Sequence, residues 1–263
     1  MKYHIETIGC QMNVADSRRL ASELEKLGCQ SVDRSQDADV LVLNTCVVRQ
    51  NVEDRAYDWL HRAIQLKKER DPQPVVGLMG CLVGIKGNPK LAQDFPDVDV
   101  FLSPSDPRPM VSFLSGIEDA ESERKLLSHR HSIQDGNLMM PLSNDRNPAT
   151  AYVPVVYGCS HACTFCIIPN RRGVERSRPA LDIAAETLSL ARQGVKEVIL
   201  LGQIVDRYGV DVPDGPSLAQ LLQLIHNTQG LERIRFLTSH PNYITDELLE
   251  TVAVLPKICE HIE

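Results

Sequence analysis

The sequence lacks several features that would direct a protein to a membrane, to the secretory pathway or along a nucleic acid. No apolar run among its 263 residues is long enough to cross a bilayer, so we expect no membrane segment. Residues 1–9 include an acid and lack the apolar core and cleavage site of a secretory signal. The formal net charge of −7 argues against a surface that is basic throughout, so any contact with nucleic acid must be local. We therefore expect a cytoplasmic protein whose thiols stay reduced.

Length and composition predict two globular domains. The chain is longer than one average domain, and its apolar fraction of 43% and charged fraction of 24% are typical of chains that bury a core. Between residues 117 and 148 the regular apolar pattern gives way to charged and turn-forming residues, as in a linker. The predicted domains therefore cover residues 1–116 and 149–263.

In the first domain, short apolar runs alternate with stretches of helical periodicity. Asp16 is placed to cap the start of a helix that ends at Gly28, and helical stretches follow the later apolar runs as well. The predicted strands cover residues 3–8, 40–43, 75–79 and 98–102. Alternating strands and helices indicate a parallel sheet, whose sites lie beyond the carboxyl ends of its strands.

Three cysteines, which we name the N-terminal trio, lie just past the ends of predicted strands: Cys10, Cys46 and Cys81. Although they are far apart in the sequence, a parallel sheet would gather them at one edge. The alternative is that they are three unrelated buried thiols, a common state of free cysteine. Their shared position at the functional edge favours a joint role.

The second domain is predicted to be the beginning of an α/β barrel. Its predicted strands cover residues 152–157, 197–201, 233–237 and 258–262, and the helices between them cover 182–193, 218–226 and 245–254. The fold class is therefore α/β, with an N-terminal parallel-sheet domain followed by the first part of a partial (β/α) barrel. Barrel enzymes carry their sites on the loops that follow the strands.

A second group of cysteines, the barrel trio, follows the first strand of this domain: Cys159, Cys163 and Cys166. Closely spaced cysteines in a cytosolic chain indicate a metal site, and iron–sulfur clusters are normally held by four thiolates. Three protein ligands would leave one metal corner open for a substrate or cofactor. As an alternative, His161 would complete a zinc site, although two cysteine trios favour iron.

The motifs resemble those of a known enzyme family. The Cys-x3-Cys-x2-Cys run, with Phe165 before its last cysteine, resembles the signature of radical S-adenosylmethionine enzymes. The surroundings of the N-terminal trio, together with Ser177-Arg178-Pro179 and Leu200-Leu201-Gly202-Gln203, resemble the methylthiotransferases of that group. Gln11-Met12-Asn13, directly after Cys10, is similar to the branch that modifies N6-isopentenyl-adenosine beside the anticodon of tRNA. The resemblance covers essentially the whole chain.

This resemblance implies S-adenosylmethionine and two [4Fe-4S] clusters as cofactors, one on each trio. The open iron on the barrel trio would bind S-adenosylmethionine, which supplies the radical. The cluster on the N-terminal trio would hold the sulfur that is inserted, and a second S-adenosylmethionine would supply the methyl group. The implied reaction adds a methylthio group to C2 of N6-isopentenyl-adenosine in tRNA.

The resemblance also implies residues that contact the cofactor. Gly202, Gln203, Ser239 and Pro241 follow barrel strands and are expected to touch the amino acid and ribose of S-adenosylmethionine. Ordinary turn chemistry at strand ends explains each of them equally well. Phe165 is expected to pack near the adenine, or only to seat the cysteine loop.

A local basic segment follows the barrel trio and supplies four candidate contacts to tRNA phosphates: Arg171, Arg172, Arg176 and Arg178. The alternative for each arginine is a solvated or internally paired role, with Glu175 as one partner. Cys29 and Cys259 lack grouped partners and are predicted to be core thiols.

Two features depart from the family pattern. Residues 202–206 read Gly-Gln-Ile-Val-Asp where the family usually has Gly-Gln-Asn-Val-Asn. Three βα units and part of a fourth strand do not close a barrel, so we expect either a fragment of a longer protein or a truncated, inactive one.

The expected partners are a tRNA substrate, an electron donor protein and a sulfur source, and the expected oligomeric state is a monomer. The alternatives of the same chemistry are methylthiotransferases that act on a ribosomal protein aspartate or on threonylcarbamoyl-adenosine. An alternative of another class is a non-catalytic binding fragment that is stabilised by a metal.

Overall fold

The structure is a computed structural model that describes residues 1–48, 50–116 and 149–263. Within these residues the chain divides into two compact units. The first unit holds residues 1–48, 50–116 and the short segment 170–172, and the second holds 149–169 and 173–263. The predicted linker, 117–148, lies outside the described residues, so the predicted domain bounds stay a prediction.

The first unit contains a parallel five-stranded sheet with the strand order β2-β1-β3-β4-β5. Its strands are β1 (Lys2–Ile8), β2 (Gln30–Ser31), β3 (Val40–Thr45), β4 (Val75–Gly80) and β5 (Val100–Leu102). The helices of this unit are α1 (Gln11–Lys26), α2 (Gln50–Glu69), α3 (Pro89–Asp94) and α4 (Arg108–Leu114). A 3₁₀ turn also occurs at Ser35–Asp37.

Helices cover both faces of this sheet. On one face, Leu20 and Leu24 of α1 join Met110 of α4 in a cluster with β-strand residues. On the other face, Trp59 and Leu60 of α2 belong to a second buried cluster. Every residue of β3 is buried, as expected for a central parallel strand that is covered on both faces.

The second unit contains a parallel three-stranded sheet with the order β10-β9-β6 and an antiparallel pair, β7 with β8. Its strands are β6 (Thr150–Pro154), β7 (Val156–Tyr157), β8 (Arg176–Ser177), β9 (Glu197–Leu201) and β10 (Arg233–Leu237). Its helices are α5 (Ile168–Arg172, whose last three residues pack within the first unit), α6 (Ala180–Arg192), α7 (Leu218–His226) and α8 (Asp246–Val254). A 3₁₀ turn lies at Val205–Arg207. The described part of the chain thus confirms the predicted α/β class.

Two predicted strands of the second domain are wrong in detail. The strand predicted over 152–157 is two strands, because the Val155 carbonyl accepts a hydrogen bond from the Arg178 amide (2.9 Å) and the chain leaves the parallel sheet there. The strand predicted over 258–262 is reduced to one isolated parallel bridge between Ile234 and Ile258.

The predicted start of the first helix is also wrong. Helix α1 begins at Gln11, and Cys10 occupies the N-cap position that was assigned to Asp16. Asp16 lies inside the helix and is buried. None of the helices in the described residues is both long and apolar enough to cross a membrane.

Candidate functional site

The N-terminal trio lies at one edge of the first sheet. Cys10 is the N-cap of α1 just after β1, and Cys46 and Cys81 directly follow β3 and β4. The strand ends are joined by backbone hydrogen bonds, from the Cys46 amide to the Ile8 carbonyl (3.1 Å) and from the Cys81 amide to the Thr45 carbonyl (2.9 Å). The fold therefore gathers the three cysteines as predicted, while their role as metal ligands stays a prediction.

A buried network of polar side chains fixes this edge. The Asn13 amide donates to Asn44 Oδ1 (2.9 Å), and the Asn44 amide donates to the Asn13 carbonyl (2.8 Å) and to Ser17 Oγ (2.9 Å). Asn13 Oδ1 also accepts from the backbone amide and the thiol of Cys10, each at 3.3 Å. Asn13 and Asn44 thus hold the loop of Cys10 against the end of β3.

Arg172 brings a positive charge to the N-terminal trio. Its Nε donates to Cys81 Sγ (3.3 Å), and its Nη1 donates to Asp16 Oδ2 (3.1 Å) and to Ser105 Oγ (3.3 Å). The Arg172 and Asp16 side chains are 3% and 1% exposed. Burial acts to lower the pKa of Arg172, but Asp16 and the sulfurs of Cys81 and Cys10 raise it overall, so the guanidinium stays charged.

Two thiols of the trio shift each other's pKa in opposite directions. The hydrogen bond between the Cys46 and Cys81 side chains lowers the pKa of Cys46. The same bond, together with burial, raises the pKa of Cys81. The thiolate is the form of cysteine that binds metal.

The barrel trio lies on the loop between β7 and α5. The Cys159 amide donates to the Gly173 carbonyl (3.0 Å), and the Cys166 amide donates to the Cys163 carbonyl (3.2 Å), which curls the loop. Cys159 Sγ accepts from the His161 amide (3.4 Å), and the His161 Nδ1 lies 3.0 Å from Cys163 Sγ. Burial raises the pKa of the Cys159 thiol. The loop is therefore compact around its sulfurs.

Both trios fit an iron–sulfur cluster by donor chemistry. Soft thiolates select iron–sulfur clusters and zinc, and the N-terminal trio also has a cationic partner for the negative charge of such a group. Arg172 Nη2 is buried without a hydrogen-bond partner among the described residues, so this pocket has a spare donor for an acceptor atom. Over 1–48, 50–116 and 149–263, no group of three or more His, Cys, Asp or Glu side chains is arranged to hold a single metal ion.

The loops that follow β9 and β10 are hydrogen-bonded to each other, while their contact with a cofactor stays a prediction. Thr238 Oγ1 donates to the Gly202 carbonyl (2.7 Å), and the Val205 amide donates to the Thr238 carbonyl (3.1 Å). Gln203 and Ser239 are partly buried on these loops, and Pro241 is exposed. Phe165 is 90% exposed, so it is not packed against the described residues.

The structure explains the two residues that depart from the family pattern, Ile204 and Asp206. Ile204 is buried, so the third position of this segment serves packing rather than polar contact. Asp206 Oδ2 accepts from the backbone amide of His240 (2.7 Å), which ties the two cofactor-face loops together.

Sequence reasoning missed a cluster of rings beside the barrel trio. The His161 and His240 rings lie 4.8 Å apart, and the His240 and Tyr243 rings lie 5.2 Å apart, between centroids. The Arg207 guanidinium lies 4.6 Å from the centroid of Tyr243 and pairs with Glu175 (2.8 Å). His161 lies within the cysteine motif and His240 lies between the candidates Ser239 and Pro241, but Arg207 and Tyr243 gave no periodic or motif signal.

The four arginines of the basic segment differ in their surroundings. Arg172 and Arg178 are buried in ion pairs with Asp16 and Glu186, which removes both from the surface. Arg176 is exposed and lies over the Tyr157 ring, 5.6 Å from its centroid. Arg171 is half-buried.

The predicted role of Glu175 is corrected as well. Its carboxylate forms its ion pair with Arg207 and not with one of the four arginines of the segment.

Two family models match the chain, one in each half. The model described as "Uncharacterized protein family UPF0004" matches residues 2–103, and the model of the radical SAM superfamily matches residues 153–259. These ranges contain the N-terminal trio and the barrel trio, respectively.

Curated relatives match along nearly the whole chain. A protein named tRNA-2-methylthio-N(6)-dimethylallyladenosine synthase from Herpetosiphon aurantiacus is 41% identical over 262 residues, which are 99% of this chain and 56% of that protein. A protein of the same name from Roseiflexus sp. is 42% identical over 258 residues, which are 97% of this chain and 51% of that protein. The chain thus spans about half the length of the curated relatives it matches.

Solved structures share the fold at low sequence identity. The radical S-adenosylmethionine methyltransferase TsrM from Kitasatospora setae has a TM-score of 0.59 and 11% identity, with 99% of this chain and 60% of that chain covered. The cobalamin-dependent S-adenosylmethionine radical enzyme OxsB has a TM-score of 0.55 and 11% identity, with 96% of this chain and 41% of that chain covered. These structures share only the fold. The family models and the curated relatives, together with the motifs around the two cysteine trios, show that the chain belongs to the radical S-adenosylmethionine methylthiotransferase family.

Proposed function

We propose that the protein adds a methylthio group to C2 of N6-isopentenyl-adenosine beside the anticodon of tRNA. The observation that carries this proposal is the pair of cysteine trios, one at the ends of the parallel strands of the first sheet and the other on the loop that follows β7. Whole-chain similarity to proteins named for this reaction supports the choice of substrate. Because the chain spans about half of those relatives, the proposal concerns the full-length protein.

In the second unit, the barrel trio would hold one [4Fe-4S] cluster and leave one iron free for S-adenosylmethionine. When bound, this pair supplies the radical chemistry that no side chain can perform. The protein would position the cofactor through the loops after β9 and β10, which carry Gly202, Gln203, Ser239 and Pro241. Asp206 holds these two loops together. Phe165 is exposed and therefore free to pack against a bound group.

In the first unit, the N-terminal trio would hold a second [4Fe-4S] cluster. The charge of Arg172, whose Nε donates to Cys81 Sγ, supports a bound anionic group at this edge. The open position of that cluster is suited to hold the sulfur that is transferred. The Asn13–Asn44 network keeps the ligand loops in place.

The proposed tRNA contacts are Arg171 and Arg176, because the other two arginines of the basic segment are buried in ion pairs. Arg176 is exposed, and the partly buried rings of His161, His240 and Tyr243 offer faces on which a splayed base could stack. The electron donor protein, the sulfur source, a monomeric state and a cytoplasmic location stay predictions from the sequence.

The test is anaerobic reconstitution with iron and sulfide, followed by incubation with S-adenosylmethionine, reductant and tRNA that carries N6-isopentenyl-adenosine. We expect two [4Fe-4S] clusters per chain, release of 5′-deoxyadenosine, and a methylthio mass gain on the nucleoside after digestion. The last readout requires the full-length protein.

Three results would count against the proposal. One cluster or none would contradict the assignment of the trios. A mass gain on a ribosomal protein or on threonylcarbamoyl-adenosine, in parallel incubations, would move the substrate to another branch. Tightly bound zinc without visible charge-transfer absorption would indicate a metal-stabilised binding module.

A further inference from the structure

Arg172 occupies an unusual position for a charged side chain. It follows the barrel trio in the sequence, yet residues 170–172 pack within the first unit, where the guanidinium is 3% exposed. A buried guanidinium is costly unless its charge and its N–H groups are matched by partners. The partners of the Arg172 guanidinium therefore indicate its role.

The partners of Arg172 account for only part of its charge and donors. Asp16 neutralises it from one side through Nη1, and Ser105 accepts a second bond from the same nitrogen. Nε points to the sulfur of Cys81, and Nη2 has no acceptor within the part of the chain that the structure describes. An open donor next to a ligand sulfur indicates that an acceptor belongs in this pocket.

The charge of Arg172 lies against the N-terminal trio at Cys81, whose backbone amide is bonded to the Thr45 carbonyl, directly before Cys46. The potential of an iron–sulfur cluster depends on its net charge and on hydrogen bonds to its sulfurs.

We propose that Arg172 is the charge-compensating donor of the cluster on the N-terminal trio and that Asp16 positions it, so that this pair sets the reduction potential of that cluster. The inference rests on the proposed function, because it requires a cluster at this trio. Arg172 favours the reduced form, since an added electron makes the cluster more negative. Asp16 opposes this effect in part and holds the guanidinium against Cys81.

The experiment isolates the N-terminal cluster by replacing the barrel trio with alanine (Cys159→Ala, Cys163→Ala and Cys166→Ala). In this background, Arg172→Gln, Asp16→Asn and the double variant are reconstituted anaerobically, and the reduced fraction is followed by electron paramagnetic resonance during a redox titration. Arg172→Gln should lower the ratio of reduced to oxidised cluster at a fixed potential about tenfold, which is ~59 mV for one electron. Asp16→Asn should raise the ratio.

The ratio of reduced to oxidised cluster is expected to fall in Arg172→Gln and to rise in Asp16→Asn. These opposite changes distinguish an electrostatic role of the pair from a structural one. Loss of a merely structural contact would change cluster content or stability but would not shift the potential in opposite directions for the two partners. Arg172→Gln alone leaves Asp16 buried without its cation, so the double variant relieves that charge and keeps the test valid if the single variant folds poorly. In that case the double variant is compared with Asp16→Asn, and it should have the lower ratio.

Arg192→Gln is the matched control, because it removes an arginine that is exposed in α6. Its ratio should equal that of the background. Equal ratios in Asp16→Asn and in the double variant would overturn the role of Arg172 while leaving the proposed function intact. Absence of the N-terminal cluster from the background and from the unmodified chain would overturn both.

Discussion

At the scale of single residues, buried polar side chains mark the end of the first sheet at which the N-terminal trio lies as a candidate site rather than part of the apolar core. Asn13, Asn44 and Ser17 are buried and bound to each other, whereas a sheet edge without a function is covered by apolar side chains at lower cost. Buried polar networks stabilise a single arrangement only when each member is satisfied. The network therefore fixes the loops of the N-terminal trio.

Asn44→Ala should destabilise the iron-free protein by about 2 kcal/mol, within the range for removing one partner of buried hydrogen bonds. The substitution removes three bonds, while the Asn13 side-chain amide keeps the Thr45 carbonyl (3.3 Å) and Ser17 Oγ keeps Thr7 Oγ1 (2.7 Å). Urea unfolding measures the effect. Asn51→Ala, at an exposed position in α2, should change stability by less than about 0.5 kcal/mol. Equal losses in both variants would show that the network does not hold the edge.

Gly80 provides a second test at the residue scale, because it combines a positive φ of 104° with close neighbours. A Cβ at this position would lie 2.4 Å from the Thr45 carbonyl oxygen and 2.6 Å from Asn44 Oδ1. Gly80→Ala should therefore cost about 3 kcal/mol, from backbone strain and overpacking together.

Gly28→Ala is the matched control for this substitution. Gly28 has a φ of 81°, and a Cβ there would meet nothing within 4 Å, so the cost should be about 1 kcal/mol from strain alone. The Gly80→Ala variant should therefore have the lower midpoint of urea unfolding, and the difference from Gly28→Ala measures the crowding next to Cys81. Similar midpoints in the two variants would show that Gly80 is not crowded.

At the scale of elements, periodicity predicted the helices and strands that depend on local pattern. Strands 197–201 and 233–237 and helix 218–226 have the predicted bounds. Errors occur where hydrogen bonds of polar groups decide. One partner is distant, since the Arg178 amide ends β6 by binding the Val155 carbonyl. The other is local, since α1 begins before Asp16 because Cys10 and Asn13 cap it. Apolar pattern carries no information about either.

Arg178 holds together the elements at the beginning of the second unit. Its guanidinium donates to the Pro154 carbonyl at the end of β6 (2.7 Å) and to Glu186 of α6 (2.6 Å), and the Glu186 side chain is 1% exposed. Arg178→Met should cost about 3–5 kcal/mol, because it leaves a buried carboxylate without its cation.

The double variant Arg178→Met/Glu186→Leu should recover most of that loss, since replacing a buried ion pair by apolar residues is often close to neutral. The four free energies of unfolding form a double-mutant cycle. Additive costs would mean that the two side chains do not act as a pair. The exposed pair Lys196–Glu232 should contribute less than about 1 kcal/mol in the same assay.

At the scale of the whole molecule, each of the two units has its own buried core and one cysteine trio. The positions of the trios could be predicted from the sequence, because strand-end placement and tight spacing are both visible there. The role of Arg172 could not, since its partners Asp16 and Cys81 are 156 and 91 residues away and only the folded chain brings them together.

Because each unit holds its trio on its own strand-end loops, the two proposed clusters should load independently. Replacing Cys10, Cys46 and Cys81 by alanine should reduce the iron per chain to about half, with the remaining cluster still responsive to S-adenosylmethionine in its electron paramagnetic resonance spectrum. Replacing the barrel trio should halve the iron as well and abolish that response. The pair Cys29→Ala/Cys259→Ala is the control, since these cysteines lie outside both trios and should leave both clusters in place. Loss of all iron from either triple variant would mean that one cluster depends on the other, so the units would not form their sites separately.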